Sequence, residues 1–282
     1  MNVEATISNI FKVGLVQMTS SDVIDENIKS AEALIRQAAA QGAEFVLTPE
    51  MTTLFGSDSQ QMMASIFTEQ EDTSWRYFAA LAKELNIWLL LGSIAVKKGD
   101  KAANRSFLLS PEGKKVVSYD KIHMFDVDLP GEKQYRESNA YQAGDQAVLG
   151  ELPWGKVGLS ICYDLRFPYL YRMLAQAGAM MLTVPAAFTY VTGKAHWHTL
   201  LQARAIENGA YLFAPAQVGD HANGRKTYGH SLIIDPWGQI LGDGGEEVGV
   251  TIAEIDLNNV IEARNRIAAL THDKNVAIVE KV

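Results

Sequence analysis

The sequence predicts an α/β fold built in layers. Three observations carry that prediction. Short apolar, β-rich runs alternate with amphipathic helical patterns, the connections between them are short, and three strand-like runs follow one another with no helix between them. The third observation asks for a mixed sheet or for two sheets.

Taken in order, FKVGLVQM reads as a buried strand. Residues 25–41 read as an amphipathic helix with Ile28, Ala31, Leu34, Ile35 and Ala38 on one face. Strand EFVLTP and a helix near SWRYFAALAKELN come next. IWLLLGSIAV, SFLLS and KVVSYDK are three successive strands. A polar loop containing PGEKQYRESNAYQAGDQ leads to strand GKVGLSIC and helix FPYLYRMLAQAG, then to strand AMMLTVPAA and helix HWHTLLQARAIENG. YLFAPAQVG, HSLIIDPWG and GVTIAEIDL make the end of the chain strand-rich, and a final helix covers 257–269. No repeat of fixed period, low-complexity stretch or linker interrupts this order. Residues 1–282 are therefore expected to form one domain, with 1–10 and 275–282 as flexible or subunit-bridging ends.

Composition narrows the function. Hydrophobic residues make up 48% of the 282 positions, enough for a large core, and the net charge is −8 with basic residues scattered. That balance argues against nucleic acid and membrane surfaces as partners. No apolar run approaches the roughly 18 residues of a membrane span. The start, with its early Glu4, lacks the basic and apolar regions of a signal peptide, so a cytoplasmic protein is expected. One cysteine can form neither an intrachain disulfide nor a thiolate-rich zinc site, and no metal is expected.

That cysteine carries the strongest chemical signal. In KVGLSICYDLRFP the apolar run Val157–Ile161 ends at Cys162, polar residues follow, and Pro168 suits the first turn of a helix. The thiol then stands at the carboxyl end of a strand, where open α/β sheets bind ligands. A sharp strand-to-helix turn also presents a nucleophile and turns a backbone N–H toward an oxyanion. Alone, a cysteine is more often a small buried hydrophobe, and its thiol needs a base and an electrostatic partner. Glu50 follows strand EFVLTP, and Lys121 follows strand VVSYDK. Each taken singly is an ordinary surface residue. His123 is a weaker candidate base, because a hydrogen-bonded structural histidine fits its apolar-flanked loop as well.

TPEM, YDKIHMF and ICYDLRFP occur in the order that resembles the nitrilase (carbon–nitrogen hydrolase) superfamily, over nearly the whole chain from GLVQM to HSLIIDPWG. The resemblance implies a four-layer α-β-β-α sandwich and a Glu50–Lys121–Cys162 triad, with Glu137 of the YRES segment supporting the lysine. Tyr163–Asp164 after the cysteine looks like the amidase side of the superfamily, where true nitrilases usually have Trp–Glu. CYDLRFP, TGKAHWHTLLQARAIEN and DPWG resemble the Nit-type branch, which holds the deaminated glutathione amidases and the ω-amidases. AQVGDH…GRKTYGHS is more similar to the former.

The implied chemistry is hydrolysis of a linear amide through a cysteine thioester, without metal or organic cofactor. Deaminated glutathione would give 2-oxoglutarate and cysteinylglycine. The alternatives are 2-oxoglutaramate hydrolysis, another aliphatic or N-carbamoyl amidase, acyl transfer to an amine, and a catalytically silent small-molecule binder. Glu50 is the expected general base, its pKa raised by burial. Lys121 and the Tyr163 N–H are the expected oxyanion donors. An α-keto acid substrate asks for a cationic clamp, expected at Arg166, with Phe188 and Thr192 lining the pocket. His196 and Trp197 are expected to pack their helix, and Arg204 and Glu207 to pair along it. The resemblance also implies a homodimer or larger homo-oligomer.

Overall fold

The computed structural model describes residues 9–56, 58–128, 134–222 and 224–280. The first half runs β1 (Ile10–Gln17), α1 (Ile24–Ala40), β2 (Phe45–Leu47), α2 (Ser59–Ser65), α3 (Ser74–Leu85), β3 (Trp88–Lys98), β4 (Lys101–Leu109) and β5 (Lys115–Asp120). A small pair, β6 (Asp126–Val127) and β7 (Tyr135–Arg136), precedes the second half. That half runs β8 (Leu149–Leu152), β9 (Gly155–Gly158), α4 (Pro168–Gln176), β10 (Ala179–Thr183), α5 (Tyr190–Asn208), β11 (Tyr211–Ala214), β12 (Val218–Asp220), β13 (Lys226–Tyr228), β14 (Leu232–Ile234) and β15 (Ile240–Asp243). The chain then returns as β16 (Gly249–Asp256) and closes with α6 (Asn258–Arg266).

Two six-stranded mixed sheets result, ordered β16-β1-β2-β3-β4-β5 and β15-β14-β11-β10-β9-β8. In each, three parallel strands are flanked by antiparallel ones. One face of the first sheet meets the second through Val13, Leu15, Phe45 and Leu47 against Val157, Leu159, Met181 and Phe213. Its other face is covered by α1 and α3, whose Ala31, Ile35, Phe78 and Ala82 bury against Val16, Val46 and Leu89. Helices α4 and α5 lie on the second sheet, burying Leu170, Leu174, Trp197 and Leu201. The four-layer α-β-β-α order is the arrangement the resemblance implies.

Local chemistry explains the element ends. Asp25 and Glu26 stand in the first turn of α1, where negative charge complements the helix dipole, and Pro168 opens α4. Sequence periodicity does not announce helix α2. Asp58 starts it by accepting the Gln60 and Gln61 N–H groups at 2.9 and 2.8 Å. Strand GKVGLSIC keeps ladder pairing only to Gly158, and the run YLFAPAQVG breaks at Pro215 into β11 and β12. Helix α5 starts six residues before the expected HWHTLLQARAIENG, and α6 is shorter than 257–269. Of the expected chain ends, 1–8, 281 and 282 lie outside the described residues, while Ile10 belongs to β1. Residues 272–280 are exposed and lack regular structure.

Candidate active site

Four side chains meet where loops leave the carboxyl ends of the parallel strands. Glu50 emerges from β2 through Thr48 and Pro49. The turn is tied by Thr52 Oγ1, which donates to the Pro49 carbonyl at 2.7 Å, and by the Met51 N–H, which donates to Ser93 Oγ at 2.9 Å. It also needs Gly92 on β3, where an added Cβ would stand 1.9 Å from the Thr48 carbonyl oxygen. Cys162 opens a single 3-10 turn over Cys162–Arg166, and its N–H donates to the Pro185 carbonyl at 2.9 Å. Cys162 and Met51 both adopt left-handed backbone, φ +47° and +57°, a conformation that L residues hold only when their surroundings demand it.

Lys121 follows β5 and is buried. Its Nζ lies 2.9 Å from Glu50 Oε1, and 3.0 and 2.9 Å from the two oxygens of Glu137. Glu137 also accepts the Phe125 N–H at 2.6 Å. The Glu50 carboxylate accepts from Asn104 Nδ2 at 2.9 Å and from the Ala187 N–H at 2.8 Å, and it contacts the Cys162 thiol. Glu50, Lys121, Glu137 and Cys162 are thus one connected cluster.

The charges follow from that packing. Burial, the largest influence, pushes the Glu50 pKa upward, but the Lys121 ammonium together with hydrogen bonds from the Cys162 thiol and the Ala187 N–H holds the carboxyl below its ordinary value of 4.5. The expected rise at Glu50 is therefore corrected. Burial alone predicts a rise, and a cation at 2.9 Å, with the hydrogen bonds the carboxylate accepts, reverses its sign. For Lys121, burial opposes the charge, but Glu137 and Glu50 prevail and raise its pKa well above 10.5. Burial and the Glu50 charge together push the Cys162 thiol well above 9.0. At neutral pH the resting site holds a thiol, a carboxylate and an ammonium.

The cluster opens into a cavity of about 240 Å³. Met51, Leu54, Phe55 and Met62 form an apolar wall, and Phe188, Thr189 and Thr192 line the side toward α5. Arg136 and Arg225 line the cavity as well. Arg136 is bidentate to Asp128, at 2.8 and 3.1 Å. The Arg225 guanidinium lies 4.9 Å from the centroids of both the Phe55 and Tyr135 rings.

Of the residues singled out from sequence, Glu50, Lys121, Cys162, Glu137, Tyr163, Phe188 and Thr192 all line this cavity. Arg166 does not. Its guanidinium sits over the Tyr163 and Phe188 rings at 5.9 and 5.4 Å and contacts His196 at 3.3 Å. His123 is held away from the cluster, with one ring nitrogen 2.6 Å from buried Asp164, the other 2.6 Å from the Tyr169 hydroxyl, and its ring stacked on Phe167. Trp197 is buried in the core, whereas His196 is exposed. Arg204 pairs with Glu207 at 2.9 Å and also donates to the Leu165 carbonyl.

Asn104, the Ala187 N–H and Arg225 are not marked out by the sequence. Asn104 sits in β4 upstream of the recognised run SFLLS, and a polar residue within a buried strand was its available signal. A backbone N–H carries no residue signature at all.

The carbon–nitrogen hydrolase family model matches residues 12–265. A deaminated glutathione amidase of Synechocystis is 42% identical over 91% of this chain and 96% of its own length. The mouse omega-amidase NIT2 is 35% identical over 92% of this chain and 94% of its own. The crystal structure of the C. elegans NitFhit protein superposes with a TM-score of 0.87 at 35% identity, covering 95% of this chain and 66% of that one. No helix among the described residues is long and apolar enough to cross a membrane. With its fold, its relatives and a family match spanning most of its length, the chain belongs to the carbon–nitrogen hydrolase family and is an amide-hydrolysing enzyme.

Proposed function

We propose that Cys162 is the nucleophile, Glu50 the proton carrier and Lys121 the oxyanion donor, acting on an α-keto acid amide, with deaminated glutathione as the preferred substrate. The observation that carries this reading is the buried Glu50–Lys121 pair beside Cys162 in a cavity whose lining includes two arginines. Supporting it, the relative at 42% identity is named a deaminated glutathione amidase.

The thiol sulfur attacks the amide carbonyl as Glu50 takes its proton. Ordinary values of 4.5 for a glutamate and 9.0 for a thiol make that transfer cost about 6 kcal/mol, and this site pulls the two further apart. The thiolate is therefore not stored at rest; S–H cleavage accompanies C–S bond formation. Lys121 has three N–H donors, of which one serves Glu50 and one is shared by the two Glu137 oxygens, leaving one for the tetrahedral oxyanion. The Tyr163 N–H, in the first turn after the nucleophile, is the second donor. Glu50 returns its proton to the leaving amine, a thioester remains, and Glu50 then draws a proton from the water that hydrolyses it.

Deaminated glutathione differs from 2-oxoglutaramate in carrying a second carboxylate, on the glycine of the leaving dipeptide. Arg225 and Arg136 offer one guanidinium for each. Steady-state hydrolysis of the two substrates, in wild type and in Arg136→Gln, tests the assignment. Expected is a kcat/KM preference for deaminated glutathione that narrows about tenfold or more in the variant through KM. Preference for 2-oxoglutaramate moves the substrate to the omega-amidase class. Turnover of neither removes the α-keto acid reading.

A further inference from the structure

Amide hydrolysis leaves unused a second convergence of titratable groups, on α5 and the β14–β15 hairpin. His198 lies on α5, His230 immediately before Ser231 and β14, and Asp243 at the end of β15. Asp243 Oδ1 is 2.9 Å from His230 Nδ1, and Asp243 Oδ2 is 3.3 Å from His198 Nε2. Among the described residues this is the one trio of histidine, cysteine or acidic side chains whose ligand atoms all fall within 4.8 Å of one another.

The trio is held in place by its surroundings. His230 has φ +54°, left-handed backbone that a histidine enters at a cost of about 1 kcal/mol. Its N–H donates to the Gly245 carbonyl at 2.7 Å, and its carbonyl accepts from Trp197 Nε1 at 2.8 Å. Its ring stacks on Tyr228 at 4.5 Å. The Gly245 N–H donates to Asp243 Oδ1 at 2.8 Å and fixes the carboxylate between the two imidazoles.

Two imidazoles and a carboxylate from three separate elements match the donors of a divalent transition ion. Metal–nitrogen and metal–oxygen bonds of about 2.0–2.2 Å place neighbouring donors of a tetrahedron about 3.3 Å apart. Asp243 Oδ2, 3.1 Å from His230 Nδ1 and 3.3 Å from His198 Nε2, is already close to that edge from both imidazoles. We propose that His198, His230 and Asp243 bind a divalent transition ion of the zinc class, with water as the remaining ligand. The ion would tie α5 to the β14–β15 hairpin. It would also brace the cavity from behind, because Trp197, bonded to His230, packs 4.9 Å from the cavity-lining Phe188.

Calorimetric titration of Zn²⁺ into the untagged Cys162→Ala chain at neutral pH tests this, the substitution removing the thiol as a competing ligand. The expected result is one saturable site per chain. His198→Ala, on a half-exposed helix position, and Asp243→Asn should each weaken it at least tenfold with the circular dichroism unchanged. Absence of saturable binding, or affinity unaltered by both substitutions, overturns the proposal.

Discussion

The two halves of the molecule build the same scaffold and equip it differently. Gly14, Val46 and Leu89 form one row across β1, β2 and β3; Gly158, Leu182 and Leu212 form the matching row across β9, β10 and β11. Four residues beyond each row come the matched positions, past the strand end in every case but Ser93, which sits at the Leu91/Ile94 register shift within β3. Met18, Glu50 and Ser93 stand there in the first half, Cys162, Ala186 and Ala216 in the second. At these matched positions each half supplies one of the proposed catalytic groups, Glu50 or Cys162, and places Ala186 or Met18 at the counterpart of the other. One backbone and one side-chain hydrogen bond stitch the two halves together here: the Met18 carbonyl accepts the Val218 N–H, and Gln217 Nε2 donates to the Glu50 carbonyl. The scaffold provides equivalent exits, and side-chain identity decides which of them does chemistry.

The strongest way to break the comparison is to truncate both first-strand exits. On the proposed mechanism, in which Cys162 carries the thioester, Cys162→Ala should lower kcat by about 10⁴-fold or more. Met18→Ala, at the buried counterpart, should leave kcat per folded molecule within a few-fold and lower stability by about 2–5 kcal/mol. Initial rates and urea denaturation of the two variants separate these effects. Equal losses of activity would mean that the exits are not functionally distinct.

This repeat was not legible in the sequence, and the reason is physical. Gly14-Leu15 and Gly158-Leu159 are the visible trace, because a glycine and an apolar run are all that the strand needs there. The rest of the equivalence lies in hydrogen-bond register, which many apolar residues satisfy. Most strands and helices were readable from periodicity, which left one mixed sheet or two open; the four-layer sandwich came with the family resemblance. Cys162 stood out at the end of an apolar run, whereas Glu50 and Lys121, ordinary loop residues taken singly, were marked only by the order of motifs that resembles the family. Asn104 and Arg225 were not, because they are brought to the cavity by strand pairing and by an apposition of aromatic rings distant in sequence. The start of α5 was hidden because Thr189, Val191, Thr192 and Gly193 are poor helix formers, overridden by tertiary packing.

A charge transplant probes the second-strand exits. Ala186→Glu puts a carboxylate at the register counterpart of Glu50, in a fully buried position without the Lys121, Asn104 and Ala187 contacts that Glu50 enjoys. Expected is a loss of about 3–5 kcal/mol at pH 7. The pH slopes should also oppose each other. Wild-type Glu50 has a depressed pKa, so its contribution is present above 4.5 and is lost as pH falls through the lower folded value. The carboxyl introduced in place of Ala186, raised by burial, is tolerated when protonated, so its penalty should shrink toward about pH 4 and grow as pH rises. Urea midpoints at about pH 4 and 7 decide this, and a penalty independent of pH would show that volume rather than charge is responsible.

The smallest effect comes from the matched glycines. An added Cβ at Gly14 would stand 3.0–3.1 Å from Ala43 Cβ, Ala38 Cβ and the Ile252 end, while at Gly158 it would meet Leu174 and Leu182 side chains at 3.0–3.1 Å. Two of the three contacts at Gly14 are alanine Cβ atoms, which cannot move without their backbone, against one such atom, Leu174 Cβ, at Gly158, where the two leucine methyls can rotate away. Gly14→Ala should therefore cost about 2 kcal/mol and Gly158→Ala about 1 kcal/mol. Turnover should rank the other way. Gly158 lies four residues before Cys162 on the strand that aims the thiol, and a small shift there misaligns sulfur, Glu50 and substrate, so kcat should fall about tenfold. Gly14 leads to Met18, and its variant should keep the wild-type rate. If both variants lost activity in proportion to stability, the two halves would be coupled through packing, and the division between a reactive and an inert exit would have to be sought elsewhere than in strand position.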